Sequence, residues 1–174
     1  MEKIGLELRS HEKSTVEQHQ FLFSYGNHVT MTISYDGDFT CTGDYGNYNY
    51  SWCSFGDDFI SFLKGLDSGY LYGKLCKKDY FDFFHWQKKA FNDIISMRKS
   101  NELNREDARI TYDFIKELDP VDSCDVVAIK LWESRELSDI YEEIHYAEFF
   151  PSPEYSPRQI QFIEEIYPQI VGVL

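Results

Sequence analysis

Apolar and polar positions alternate with a period of two through the first third of the chain. In NHVTMTISY (27–35), Val29, Met31, Ile33 and Tyr35 alternate with His28, Thr30, Thr32 and Ser34. Such a pattern gives a strand one buried and one wet face. QFLFSY (20–25) repeats it with Phe21, Phe23 and Tyr25, and Gly26-Asn27 between the two runs signals a tight hairpin. DGD at 36–38 offers the next turn, leading into Phe39 and Cys41. YGNYNYSWC (45–53) then sets Tyr48, Tyr50 and Trp52 against Asn47, Asn49, Ser51 and Cys53. With a weaker candidate at Ile4–Leu8, these runs predict an antiparallel meander of four or five strands.

After Gly56 the period changes. Asp57 is placed to cap a helix with an apolar stripe of Phe59, Ile60, Phe62, Leu63 and Leu66. Ser68 is placed to cap a second, through Leu71 and Leu75, and both are expected to dock on the sheet. Helical spacing of Phe84, Phe91, Ile94, Ile95 and Met97 predicts a helix from Asp79 to about Ser100. Asn104 opens another, with Glu106 and Asp107 in its first turn and Lys116 near its end, and Asp119-Pro120 stops it. Further helices are predicted at 123–133 and 137–147, and Ser156-Pro157 starts a last one carrying Ile160, Ile163, Ile166 and Ile170. Pro168 is expected to kink or restart it. The plan is α+β: a single domain over 1–174, with an N-terminal sheet (1–55) followed by a helical part (56–174).

Composition narrows what such a fold can do. An apolar fraction of 43% and an aromatic fraction of 17% suffice for a packed core. No charge-free apolar run approaches the roughly 18 residues of a membrane span. A soluble, unexported chain of the cytoplasm is expected. Cys41, Cys53, Cys76 and Cys124 are scattered without a CxxC pair, so free thiols are expected rather than disulfides or a zinc knuckle. The net charge of −13 is uneven: −3 over 1–78, −1 over 79–118 and −9 over 119–174. Such a balance opposes direct binding to a phosphate backbone, which lysine and arginine drive, and favours either a basic partner or mere solubility.

Candidate chemistry is sparse. Gly43, Gly46 and Gly56 match no phosphate-binding fingerprint, and no HExxH or other metal-ligand spacing occurs. Asp44, Asp57 and Asp58 could form the carboxylate cluster of a metal-dependent hydrolase, but turn and cap roles explain Asp44 and Asp57 as well. Among His11, His19, His28, His85, His145 and Cys53, none lies in a recognisable catalytic setting. No catalytic residue, cofactor or metal is therefore assigned. Tyr45, Tyr48, Tyr50 and Trp52 would make a surface for stacking on nucleic acid if helices covered the opposite face, and core if they covered theirs; the polar alternate positions favour core. In the acidic third, Asp119, Asp122 and Asp125 recur every three residues, as do Glu133, Glu136, Asp139 and Glu142, with Glu143 beside them. On a helix three residues advance about 4.5 Å and turn about 300°, so such acids form one slowly drifting row. It is either a solvated face or a surface imitating a phosphate backbone.

Three segments resemble a family of bacteriophage- and prophage-encoded proteins: GDYGNYNYSWCSFGDDFISFLKGLDSGYLYGKL (43–75), MRKSNELNREDARITYDFI (97–115) and YEEIHYAEFFPSPEYSPRQIQFIEEIYPQIVGVL (141–174). The resemblance carries no catalytic residue. It implies a mobile-element origin, expression in a bacterial host and an accessory role. Joined to the acidic third, it suggests an inhibitor that binds a basic host protein such as a defence nuclease or CRISPR effector.

Overall fold

The computed structural model describes residues 13, 15–141 and 150–174. The strand expected at Ile4–Leu8 and the predicted helix beyond Tyr141 lie outside them. The alternating runs form one antiparallel sheet in the order β1 (Val16–Leu22), β2 (His28–Ser34), β3 (Asp38–Gly43), β4 (Gly46–Ser51). Met31 pairs with Cys41 and Cys41 with Tyr48, so alternate residues of neighbouring strands share a face. The inner face buries Val29, Met31, Ile33, Phe39, Cys41 and Tyr48. The outer face carries two uncharged cross-strand rows, Gln18-Thr32-Thr40-Asn49 and Gln20-Thr30-Thr42-Asn47.

Two tyrosines depart from the alternation. β1 ends at Leu22, and a 3₁₀ turn at Ser24–Gly26 follows, with Tyr25 left-handed at φ 66° and fully exposed. This turn is wider than Gly26-Asn27 alone predicts, because the Phe23 N–H donates to the Asn27 carbonyl at 2.7 Å. Tyr35 lies just past β2 and is also exposed. In the next turn Gly37 adopts φ 95°, and a Cβ there would fall 2.1 Å from the Trp52 carbonyl oxygen, so only glycine fits.

The described residues divide into two compact units: the chain up to Lys77 together with Pro157–Leu174, and Lys78–Ser156. This division does not follow the boundary between sheet and helices. In the first unit, α1 (Phe59–Lys64), α2 (Ser68–Leu75) and the final helix cover the inner sheet face, contributing Phe59, Leu63, Leu71, Phe162, Ile163, Ile166, Tyr167 and Ile170 to its core. The caps sit one residue from their expected positions. Asp58, not Asp57, accepts the Ile60 N–H at 3.1 Å, and Asp67, not Ser68, accepts the Tyr70 N–H at 2.9 Å. Both carboxylates meet amides that the first turn leaves without intrahelical partners.

The final helix runs as α7 (Pro157–Gln161), a π segment (Phe162–Ile166) and α8 (Tyr167–Gly172). Pro168 lacks an N–H, and in a regular helix its ring would press on the carbonyl four residues back. The wider turn comes just ahead of it: the Tyr167 N–H reaches the Phe162 carbonyl, five residues back.

The second unit packs α3 (Phe83–Ser100), α4 (Arg105–Glu117), α5 (Cys124–Glu133) and α6 (Arg135–Tyr141) around Phe83, Trp86, Ile94, Leu103, Ile115, Val127, Leu131 and Leu137. Asp82, Asn104 and Ser123 cap α3, α4 and α5. Phe84, expected on the buried stripe of α3, is exposed, while Phe83 and Trp86 are buried in its place. No described helix is long and apolar enough to cross a membrane.

Candidate interaction surfaces

The stretch GDYGNYNYSW is spent on the fold. In the β3–β4 turn, the Asp44 carboxylate accepts the His28 N–H at 2.7 Å and lies 2.9 Å from His28 Nδ1. The Asp44 N–H donates back to the His28 carbonyl at 3.1 Å, pinning the turn to the start of β2. The His28 amide is the main cause holding the Asp44 carboxyl below its ordinary range. Gly43, at φ 155°, allows this approach, since a Cβ would stand 2.2 Å from the His28 carbonyl oxygen.

The aromatic face beyond this turn is core. Tyr48 stacks on Phe162 at 3.8 Å between ring centroids, and its hydroxyl donates to the Tyr45 carbonyl at 2.8 Å. Trp52 is buried among Phe39, Tyr50, Phe59 and Phe62, with its Nε1–H donating to the Tyr70 hydroxyl at 3.1 Å. Tyr45 and Tyr50 are half-buried against the same cluster. The Tyr45 hydroxyl accepts from Asn27 Nδ2 at 3.1 Å and that of Tyr50 from Lys74 at 3.0 Å. Helices cover the face of this strand that carries the rings, so these four side chains form no stacking platform. The burial of Tyr48 and Trp52 follows from the polar residues that alternate with them.

The three aspartates considered for metal do not line one site. Asp57 and Asp58 border a cleft of about 220 Å³ with Glu17, Ser34, Tyr35 and Phe59, whereas Asp44 is engaged with His28. Asp58 is also held by its cap role, and the Ser61 hydroxyl is the main cause of its lowered carboxyl pKa. Among the described residues no group of three or more His, Cys, Asp or Glu side chains could hold a metal ion. The described thiols are free; burial pushes Cys41 up to about 12 and Cys76 to about 11, the opposite of an activated nucleophile.

The acidic third has more surface character. Asp119, Asp125, Glu133 and Glu136 are exposed. Asp119 accepts the Val121 N–H at 3.0 Å, and Asp125 and Glu136 stand in the first turns of α5 and α6, where the helix dipole favours anions. Asp122 differs, since Lys130 meets its carboxylate at 2.5 Å. The side chain of Asp139 lies outside the described residues, as do Glu142 and Glu143.

A feature that the acidic pattern did not reveal lies among these carboxylates. α5 turns Cys124, Val127 and Leu131 inward and Val126, Ile129 and Trp132 outward. Trp132 is 67% exposed and Ile129 53%, and Val121 just before the helix is 85% exposed. The signal was present in CDVVAIKLWE, which is apolar nearly all round, as a fully buried helix would be.

The chain belongs to a phage protein family: the model of the phage family phiTE_072 matches residues 11–174. No curated protein and no solved structure matches the chain.

Proposed function

We propose that this member of a phage family is an accessory protein that binds and blocks a cationic host protein through the outward face of α5 and the start of α6. The observation that carries this proposal is the juxtaposition on that face. Val126, Ile129 and Trp132 are exposed in a row, with Asp125, Glu133 and Glu136 around them. Protein interfaces combine an apolar, often aromatic centre with a polar rim, and a tryptophan at the centre commonly carries much of the binding energy.

The rim selects the partner. Carboxylates repel a phosphate backbone but attract the lysines and arginines that nucleic-acid-binding proteins use to hold one. A defence nuclease or CRISPR effector presents such a groove, and occupying it would exclude the nucleic acid. Inhibition here is competitive and needs no catalytic residue.

Capture from bacterial host lysate, comparing the wild type with a Trp132→Ala/Glu133→Lys/Glu136→Lys variant, tests the proposal. The expected result is one or more proteins retained by the wild type, released as salt rises, and absent with the folded variant. Identical capture by both proteins would remove this face from consideration. The purified partner should then lose nucleic-acid binding as the wild-type chain is added.

A further inference from the structure

The second unit also holds a groove whose make-up is the counterpart of the α5 face. Where α3 ends and α4 begins, Ile94, Ile95, Ala108 and Tyr112 line an open groove of about 430 Å³. Residues 95, 98 and 99 fall on one face of α3, and 105, 108, 109 and 112 on one face of α4. The Asn101 cap, left-handed at φ 61°, turns the chain between the two helices. The lining is almost wholly apolar. Ile95 is 47% exposed, and Tyr112 is 37% exposed with its ring stacked on Phe91 at 4.2 Å.

Arg98, Lys99, Arg105 and Arg109 border this groove, and all four are exposed. Because the lining is apolar, they contribute their aliphatic stems to it, and their charged ends form a rim in water. Four of the chain's 17 lysines and arginines are thus gathered along one apolar strip. Among the described residues, Arg98, Lys99 and Arg105 have no carboxylate within ion-pair distance, and Arg109 meets only Asp113, at 3.6 Å on the open surface. Arg105 also occupies the first position of α4, where the helix dipole favours an anion, so folding does not account for its charge.

The shape of the groove selects its occupant. A small molecule needs a pocket that encloses most of its surface, which an open strip between two helices does not provide. The strip fits the apolar face of another helix, and the cationic rim calls for acids beside that face. The chain itself carries such a face. Val126, Ile129 and Trp132 stand outward on α5, with Asp125 and Glu133 one turn either side of Ile129 and Glu136 at the start of α6. We infer that the α5 face of one molecule docks in the α3–α4 groove of a second copy, its apolar row on Ile95 and Tyr112 and its carboxylates against the rim cations. At a net charge of −13 two copies repel at long range, so a contact between them needs cations on one side, and this pairing supplies them. The two surfaces lie on different helices, so the contact is head-to-tail and either closes into a ring of two or more copies or extends as a filament. The inference rests on the same face as the proposed function but not on a host protein, and it makes self-association and host binding compete.

Sedimentation velocity of the full chain from about 1 μM to about 1 mM, the span of weak to moderate association, tests it. The wild type should pass reversibly from monomer to larger species as concentration rises. Arg105→Glu/Arg109→Glu and Glu133→Lys/Glu136→Lys, all at exposed positions, should each raise the concentration required roughly tenfold or more while leaving the circular dichroism unchanged. Mixed together, the two variants should associate again, because one keeps the original face and the other the original groove. The groove variant should also still capture any host protein that the face variant loses. Host capture absent from a self-associating wild type would sink the proposed function alone. A wild type that stays monomeric throughout, undiminished association in either variant, or no association in their mixture would each overturn the inference.

Discussion

Two tryptophans divide the labour of this molecule. Trp52, at the end of β4, is 4% exposed and surrounded by four aromatic rings, and its indole N–H is hydrogen-bonded. Trp132, on α5, is 67% exposed in a row of outward apolar side chains. A strand that alternates strictly with Asn and Ser leaves its aromatic face one destination, the core. A helix that is apolar nearly all round but covered on one side leaves large side chains partly exposed: Trp132 meets the Phe150 ring edge-on at 6.5 Å between centroids and still shows most of its surface. Truncating the two residues should separate these roles. Trp52→Ala is expected to cost about 3–5 kcal/mol by urea denaturation, the range for large aromatic truncation in a core. Trp132→Ala should stay within about 0.5 kcal/mol, as surface substitutions do, while abolishing capture of the partner. Equal losses of stability in the two variants would break the comparison.

The same contrast recurs among tyrosines with a smaller effect. The Tyr167 hydroxyl, in the core of the first unit, donates to the Leu63 carbonyl at 2.8 Å, a carbonyl at the end of α1 that otherwise meets the Gly65 amide, which is shared with the Phe62 and Ser61 carbonyls, and the Leu66 amide at a long 3.4 Å. Tyr167→Phe should therefore cost about 1–2 kcal/mol, the penalty of leaving a buried acceptor poorly satisfied. Tyr112→Phe, at the half-open groove of the second unit, should leave the denaturation midpoint nearly unchanged. Helix caps give a comparison between the units at about the same scale. Asp58→Ala in α1 and Asn104→Ala in α4 should each cost about 1 kcal/mol. A markedly larger loss for Asp58 would show that α1 is ordered by its cap more than by the packing of Phe59 and Leu63.

What was legible in the sequence was whatever a local period encodes. The strand alternation placed Val29, Met31, Ile33, Tyr48 and Trp52 on one buried face because that face meets helices along its whole length. The same rule failed at Tyr25 and Tyr35, where the strands end and alternation no longer constrains direction. The caps at Asp58 and Asp67 were each read one residue away, because neighbouring residues of equal cap propensity compete and geometry decides. Phe83-Phe84 posed the same ambiguity of phase, which Phe83 won. The joining of α7 and α8 to the sheet core was not legible, since Phe162 against Tyr48 is a contact between distant segments that no local pattern records. Of the candidate surfaces, the acids were visible as positions. Their exposed neighbours Ile129 and Trp132 lie on a helix whose apolar residues run nearly all round, so that no period marks which of them face outward, and the groove between α3 and α4 needed two helices to exist.

The smallest effect expected concerns pH, and it separates the turn carboxylate of the first unit from the rim carboxylates of the second. Asp44 is held below the ordinary carboxylate range, chiefly by the His28 amide. A carboxyl lowered in the folded state contributes stability that is fully present above its unfolded value, near 3.9, and is lost as pH falls through the folded value. The wild type should thus lose part of its stability in acid through Asp44, while Asp44→Asn, already lacking the charge, should show a shallower decline over the same interval. Asp58, lowered mainly by the Ser61 hydroxyl, adds a parallel loss that Asp44→Asn does not remove. Glu133→Gln and Glu136→Gln, at exposed carboxylates of the proposed rim, should instead alter the salt dependence of partner binding. Denaturation midpoints measured from neutral pH down to about 2.5 decide it. A decline as steep in Asp44→Asn as in the wild type would mean that the β3–β4 turn is held by its backbone bonds and glycines alone, with the aspartate contributing no pH-dependent hold.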